Sequence, residues 1–394
     1  MKSQQDIRAA TRITTQPRKG NVLVLAAGTL VLVFAFTAFT VDLGFITTSK
    51  VEMQKSADAS ALAAVLELQD AYGPGKVYTM SEAETQGRTA AQTVAGLNRS
   101  AGRLSTYVDT ARDVRFGQYH YDDATSSWIK SWGVMPYNMV EVTVHRDQGG
   151  SANGDGPLDL FFAPVIGTQQ ANLALKSTAV LKPGVGFKKI PGYNLGVLPI
   201  TLDVPTWDNL IQNGVGTDNY TYNANGTISS GPDGIKEVNL YPAGGVQLPP
   251  GNRGTVDFGG TNNSTSDLSR QIRYGLNDDD WEALADQGIT ELRWDGEEYI
   301  INGDTGLSAG IKDDLESIKG MPRAIPLFTE VSGPGNNAMY TIVRFVGIRI
   351  MNVKLTGSGK QVIIQPAPYN DGSVESGEVD LTTETILAPP SLVP

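Results

Sequence analysis

From Val22 to Val41 the chain carries no charged residue, proline, asparagine or glutamine. About 20 residues at 1.5 Å each cover a hydrocarbon core of roughly 30 Å. Lipid leaves no partner for an open backbone, so this run predicts a transmembrane helix over residues 21–42. No proline separates it from Gly44–Leu68, which favours helix through Ala57, Ala59, Ala61, Ala63 and Ala64. On a helical projection Phe45, Thr48, Glu52, Lys55 and Ala59 share one side, and Val51, Ala57 or Asp58, Leu62, Val65 and Leu66 another. The apolar stripe is thin and built of small side chains, which suits close approach of a second helix. Gly73-Pro74-Gly75 then breaks the pattern. A single helix from residue 21 to about 71, on the order of 75 Å long, is expected. Residues 80–97 read as a second helix that returns along this stalk or caps the domain.

Beyond residue 98 the period changes. Asp113–Tyr121 alternates imperfectly and Met139–Val144 continues as strand. A Gly/Asn/Asp loop over 145–157 leads to a short apolar piece at Leu158–Gly167 and a strand at Ala171–Leu181. Pro183-Gly184-x-Gly186 reads as a boundary. Later strands are expected at Leu195–Leu202, Ile235–Leu240, Thr255–Phe258 and Ile289–Arg293. Tyr340–Leu355 and Gln361–Gln365 form a hairpin through Thr356-Gly357-Ser358-Gly359. Short helices are expected at Asp267–Tyr274, Asp278–Asp286 and Ile311–Ile318, the second begun by three acids at its positive end. The fold class is α+β: a transmembrane helix, a helical stalk, then a β-rich exterior of one or two units. The expected division is a basic leader (1–20), the span (21–42), stalk and second helix (43–97), a mixed α/β unit (98–186), a β-rich domain (187–366) and a disordered Pro/Ser/Glu-rich tail (367–394).

Charge sets the expected orientation. Lys2, Arg8, Arg12, Arg18 and Lys19 precede the span against one acid, Asp6. The whole chain carries −11, so residues 20–394 carry −15 against +4 before them. Basic flanks stay in the cytoplasm, which puts the C-terminus outside. A cleaved secretory signal is the alternative. Its apolar region is shorter, about 7–15 residues, and ends in a small-x-small site. Ala38-x-Thr40 is a weak site of that kind, and helical sequence runs past it, so a retained anchor is expected. An acidic exterior argues against nucleic acid. With no cysteine there is neither a disulfide nor a thiolate metal site.

Thr40, Gly44 and Thr48 recur at i, i+4, i+8 and would give a small-residue face for helix association where the chain leaves the membrane. Asp42 closes the span as an interfacial acid. The order of a basic leader, Gly20-Asn21-Val22, an apolar helix, Val41-Asp42-Leu43-Gly44, then Gln54-x-x-Ala57-Asp58-Ala59-x-Ala61-Leu62-Ala63-Ala64 resembles the TadE/G-like proteins of bacterial Flp/Tad pilus assembly. The resemblance covers residues 18–66, and more loosely Asn138–Val142 and Leu160–Ala163. It implies a single-pass envelope protein of the pilus apparatus, anchored in the inner membrane with its C-terminus extracytoplasmic. Its partners would be other Tad or envelope proteins, and its N-terminal helix a surface for self-association. Pilins carry a Glu five residues after the processing glycine; here that position is Leu25, which implies an accessory protein rather than a major filament subunit. Longer relatives carry a von Willebrand A domain with an Asp-x-Ser-x-Ser metal site, and no such triplet occurs here.

No catalytic, metal or cofactor set is expected. His120 and His145 are the only histidines, too few for a triad with partners or a multi-His zinc site. The acidic runs Asp278–Asp280, Asp295-x-Glu297-Glu298 and Asp313-Asp314 suit helix caps and solvated faces better than calcium or a carboxylate pair. Gly357-Ser358-Gly359-Lys360 lacks the first glycine and the final Ser/Thr of a phosphate loop. The residues expected to matter are therefore those of the anchor and its helix seam: Gly20, Asn21, Leu25, Thr40, Asp42, Gly44, Thr48, Ala57, Asp58 and Ala61. Two functions remain open on the sequence: a structural component of Tad pilus assembly, and an anchored adhesin-like module for a glycan or matrix ligand, to which the five tryptophans would contribute.

Overall fold

A computed structural model describes residues 21–122, 124–223, 225–241, 253–260, 263–333, 335–377 and 385–394. The basic leader and Gly20 lie outside the described residues. Helix α1 runs unbroken over Asn21–Leu66, 46 residues, or about 69 Å at the usual rise. A 3₁₀ turn at Gln69–Ala71 and a left-handed Gly73 end it. Helix α2 spans Met80–Leu97, as the sequence predicts. A capping box starts it: Thr79 accepts from the Glu82 main chain and Glu82 accepts from the Thr79 main chain.

The two halves of α1 differ in surroundings. Val22 to Val41 is exposed apart from Ala38, which is half-buried. From Asp42 a buried stripe begins and continues through Ser49, Met53, Ser56, Ala57, Ser60, Ala61, Ala64, Val65 and Leu68. These positions recur every three, four or seven residues, one face of a helix. The stalk half of α1 is thus docked along its own domain. It lies with α2 over a five-stranded antiparallel sheet. In chain order the first strands are β1 (Val114–Asp122), β2 (Ser127–Trp132), β3 (Met139–Arg146), β4 (Leu158–Asp159), β5 (Gln170–Ala171) and β6 (Leu173–Val180). The sheet order is β2-β1-β3-β6, and the strand Ser391–Val393 closes the far edge on β6. Val140, Val142, Val144, Leu173 and Ala179 meet Met53, Ala57, Ala61, Ala64 and Val65 in one core.

The small residues of α1 and α2 let these layers approach. A Cβ added at Gly87 of α2 would lie 2.8 Å from the Ala64 carbonyl oxygen and 3.1 Å from the Phe116 ring. The two helices therefore touch backbone to backbone where the alanine block runs. The stripe of small side chains read from the sequence is filled from within the chain along this length.

The second unit is a sheet that closes on itself. The strand Ala338–Lys354 pairs with Tyr299–Asp304, that with Arg253–Val256, that with Ile200–Asp203, and that in parallel with Pro322–Ser332. Pro322–Ser332 then returns to Ala338–Lys354, closing a five-stranded ring. Register shifts around Phe328 and between Ile350 and Asn352 bend these strands. Phe258, Ile301, Tyr340, Ile342 and Phe345 belong to one core of this unit. Ile200, Leu202, Ile348 and Ile350 belong to another, with Trp207, Leu268 and Leu315 from the helices Val204–Asn213, Thr265–Tyr274 and Lys312–Ser317. The predicted hairpin of Ala338–Lys354 with Gln361–Pro366 is present.

One expectation, the disordered tail, needs correction. At Pro183-Gly184-x-Gly186, read as a boundary, the chain enters the strand Gly184–Lys188, which lies between Glu291–Arg293 and Val374–Ser376. Its glycines admit close neighbours: a Cβ at Gly184 would lie 2.5 Å from Val374. The tail read as disordered is largely built in; residues 378–384 lie outside the described residues. Tyr369-Asn370 pairs in parallel with Ile386-Leu387. Ile386 is buried in the core of the ring and Leu387 in the core beneath α1 and α2. Average composition hid two adjacent apolar residues that join the units. Near the same junction, the space a Cβ on Gly75 would take is filled by the Pro366 carbonyl, 2.0 Å away.

Candidate functional site at the foot of the long helix

Asp42 stands where the exposed apolar half of α1 gives way to the buried half. Its side chain is 4 % exposed. One carboxylate oxygen accepts the main-chain N–H of Phe161 at 2.8 Å; the other accepts those of Phe162 and Ala163 at 3.0 and 2.6 Å. Three successive donors held by one ionised acceptor fix a loop strongly. They anchor the turn of 3₁₀ helix Ala163–Ile166, which Gly167 ends in a left-handed conformation.

The surrounding structure brings that loop to Asp42. Buried Arg146, on β3, donates to the carbonyls of Ala101 and Gly156 at 3.0 and 2.7 Å. It ties the turn after α2 to the segment leading into β4. Burial lowers the pKa of this guanidinium. Beside it, burial pushes the Asp155 carboxyl up, but hydrogen bonds from Ser151 and Arg112 hold it below its ordinary value. β4 pairs with β5 through Leu158–Ala171 and Asp159–Gln170, so Leu160–Gln169 is a closed loop. The Phe45 ring on α1 packs on Phe161 with centroids 5.1 Å apart. Phe161 nonetheless stays 64 % exposed, and Phe162 and Val165 are 45 and 89 % exposed.

Other residues singled out in the sequence fall into distinct places. Asn21 opens α1. Leu25 lies on its bare apolar half. Thr40, Gly44 and Thr48 are exposed on the helix as it reaches the domain. Thr40 returns its hydroxyl to the Phe36 carbonyl at 2.8 Å, and Gly44 has open space around its Cα. Ala57 and Ala61 are fully buried under α2 and the sheet. Half-buried Asp58 accepts from Gln54 at 2.7 Å, and Gln54 donates to the Lys176 carbonyl of β6 at 3.2 Å. Gln54 and Asp58 together thus pin the helix to the sheet edge. The structure brings Asp42 to a loop it was not expected to touch. The one sequence signal for that loop is Leu160-Phe161-Phe162-Ala163, an apolar run without strand alternation.

The other polar groups singled out in the sequence are engaged in caps and ion pairs. Asp280 completes a capping box with Asn277 and receives Arg270 at 2.6 Å. Asp314 pairs with Arg273, and Asp295 with Arg293. His145 lies between Asp147 at 2.8 Å and Asp113 at 3.5 Å. Among the described residues no three His, Asp or Glu side chains converge as metal ligands.

Residues 20–69 match the family model described as putative Flp pilus-assembly TadE/G-like, and residues 51–179 the model described as putative Tad-like Flp pilus-assembly. Over residues 20–179 the chain is thus similar to Tad-type Flp pilus-assembly proteins. The second match starts within α1 and ends on β6, so it covers α2 and the strands β1 to β6 of the first unit but not the closing strand Ser391–Val393; neither match reaches the ring. No curated protein and no solved structure matches the chain.

Proposed function

We propose that this chain is a single-pass component of Tad (Flp) pilus assembly in the bacterial cell envelope, acting by protein–protein contact. Val22–Val41 lies in the inner membrane and the two folded units stand outside it. The observation that carries this reading is the division of one continuous helix. Its N-terminal half leaves Val22, Leu25, Leu32, Phe34 and Phe36 exposed, while its C-terminal half is core. An apolar surface of that length has no place in water. The basic leader supports the orientation.

The ring is the part free to dock on other pilus or envelope proteins. Thr40, Gly44 and Thr48 are the part of the expected helix seam still open to self-association, since Ala57 and Ala61 are enclosed. The family domains support a structural role and lend nothing to the adhesin alternative. The test is an in-frame deletion combined with co-purification from membranes. Loss of pili and recovery of other Tad proteins with the tagged chain are expected. Normal piliation in the deletion strain would refute the proposal.

A further inference from the structure

The loop Leu160–Gly167 is a second apolar surface, held against α1 at the level where its bare half ends. It contains no charged side chain. Phe161, Phe162 and Val165 present their side chains outward. Its backbone is unusually self-contained. Asp42 takes the N–H groups of Phe161, Phe162 and Ala163. Pro164 has none, and Val165 donates to the Phe162 carbonyl at 3.0 Å. Gly167 and Thr168 donate to Pro164 and Ala163. From Phe161 to Val165 no donor is left for water. A loop with exposed rings and satisfied N–H groups gives up few hydrogen bonds to water on entering the headgroup region, where its carbonyls still meet water.

We infer that Leu160–Gly167 dips into the outer leaflet beside α1, giving the protein a second contact with the lipid bilayer. This rests on the anchor reading above. The occupant is lipid because the loop's apolar surface is continuous with that of α1 through Phe45, and Asp42 places both at the end of the 20-residue apolar run. Two contacts instead of one would fix the tilt and rotation of the folded units over the membrane, which a lone helix leaves free.

The chain has no cysteine, so a single introduced thiol reports one place. Full-length Val165→Cys, Val31→Cys and Ile300→Cys, each labelled with the environment-sensitive dye NBD, are reconstituted in phosphatidylethanolamine/phosphatidylglycerol vesicles. All three sites are exposed, so the fold tolerates the label. Quenching by lipids spin-labelled near the headgroup is expected to be at least about threefold stronger at position 165 than at position 300. Position 31 is expected to respond to spin labels deep in the acyl chains. Quenching at 31 with none at 165 overturns the loop contact and leaves the anchor standing. Quenching at 165 with none at 31 overturns the anchor reading and with it the second contact beside α1. A blue-shifted dye at 165 that ignores the spin-labelled lipid shows a protein covering the loop and overturns the inference.

Discussion

The Asp42 carboxylate accepts the main-chain N–H of Ala163 at 2.6 Å, across 121 positions of sequence. This bond and its two neighbours set the loop Leu160–Gly167 against the helix. Asp42→Leu would leave three donors without an acceptor inside the fold, and the loop would open to water to satisfy them. Limited chymotrypsin digestion in mild detergent should cut after Phe161 or Phe162 about tenfold faster in Asp42→Leu than in the parent. Asp42→Asn, which keeps one acceptor oxygen, should fall between them. Equal cleavage in all three would show that the bond does not order the loop.

Two glycines of α2 predict opposite effects. At Gly87 a methyl group meets the Ala64 carbonyl and the Phe116 ring. Gly87→Ala is expected to cost about 1–3 kcal/mol through overpacking. At Gly96 nothing lies within 4 Å, so Gly96→Ala is expected to stabilise by roughly 0.5–1 kcal/mol through helix propensity. Chemical denaturation of the purified protein reads both. The same sign for both would mean that α1 and α2 are not in backbone contact at Gly87.

Local signals in the sequence were sufficient for several elements. Residues 80–97 and Asp278–Asp286 read as helices in the sequence, the second from its three leading acids, and the structure begins each with a capping box, Thr79 with Glu82 and Asn277 with Asp280. The hairpin of Ala338–Lys354 with Gln361–Pro366 follows from one turn. The ring does not, because Ile200–Asp203 finds Arg253–Val256 and Pro322–Ser332 only through distant pairing. At the foot of α1 the acid at position 42 was legible and its partners were not, since no period links it to residues 161–163. Ala57 and Ala61 looked equally fit for another chain or for their own; small side chains state that something comes close, not what.

Glu82 gives a pH dependence. Hydrogen bonds from the Thr79 main chain and hydroxyl hold its pKa below the usual glutamate value. A depressed folded-state pKa contributes stability that is present above the unfolded value and lost as pH falls through the folded one. Acid should therefore loosen the start of α2, and Glu82→Gln should remove that part of the pH dependence while lowering stability at neutral pH. Thermal melts between pH 7 and about pH 3 test this. An unchanged pH profile in Glu82→Gln would show that the cap does not contribute.

Ile386 and Leu387 predict that the C-terminal segment is structural. Each is fully buried, in different cores. Ile386→Ala and Leu387→Ala should each cost about 2–5 kcal/mol. Hydrogen exchange should show the loss of Ile386 mainly around Phe345 and Tyr340, and that of Leu387 mainly around Val140 and Leu181. Wild-type stability in either variant would mean that the C-terminal segment is not packed into the two cores.

The central claim is that one helix is anchor and core at once, with both folded units outside the inner membrane. The direct measurement is labelling of single cysteines in the otherwise cysteine-free chain with a membrane-impermeant maleimide. Ser229→Cys, exposed in the second unit, should react in intact spheroplasts, and Ser3→Cys only after lysis, with both proteins retained in carbonate-washed membranes. Labelling of Ser3→Cys but not Ser229→Cys before lysis, or release of the protein by carbonate, would contradict it.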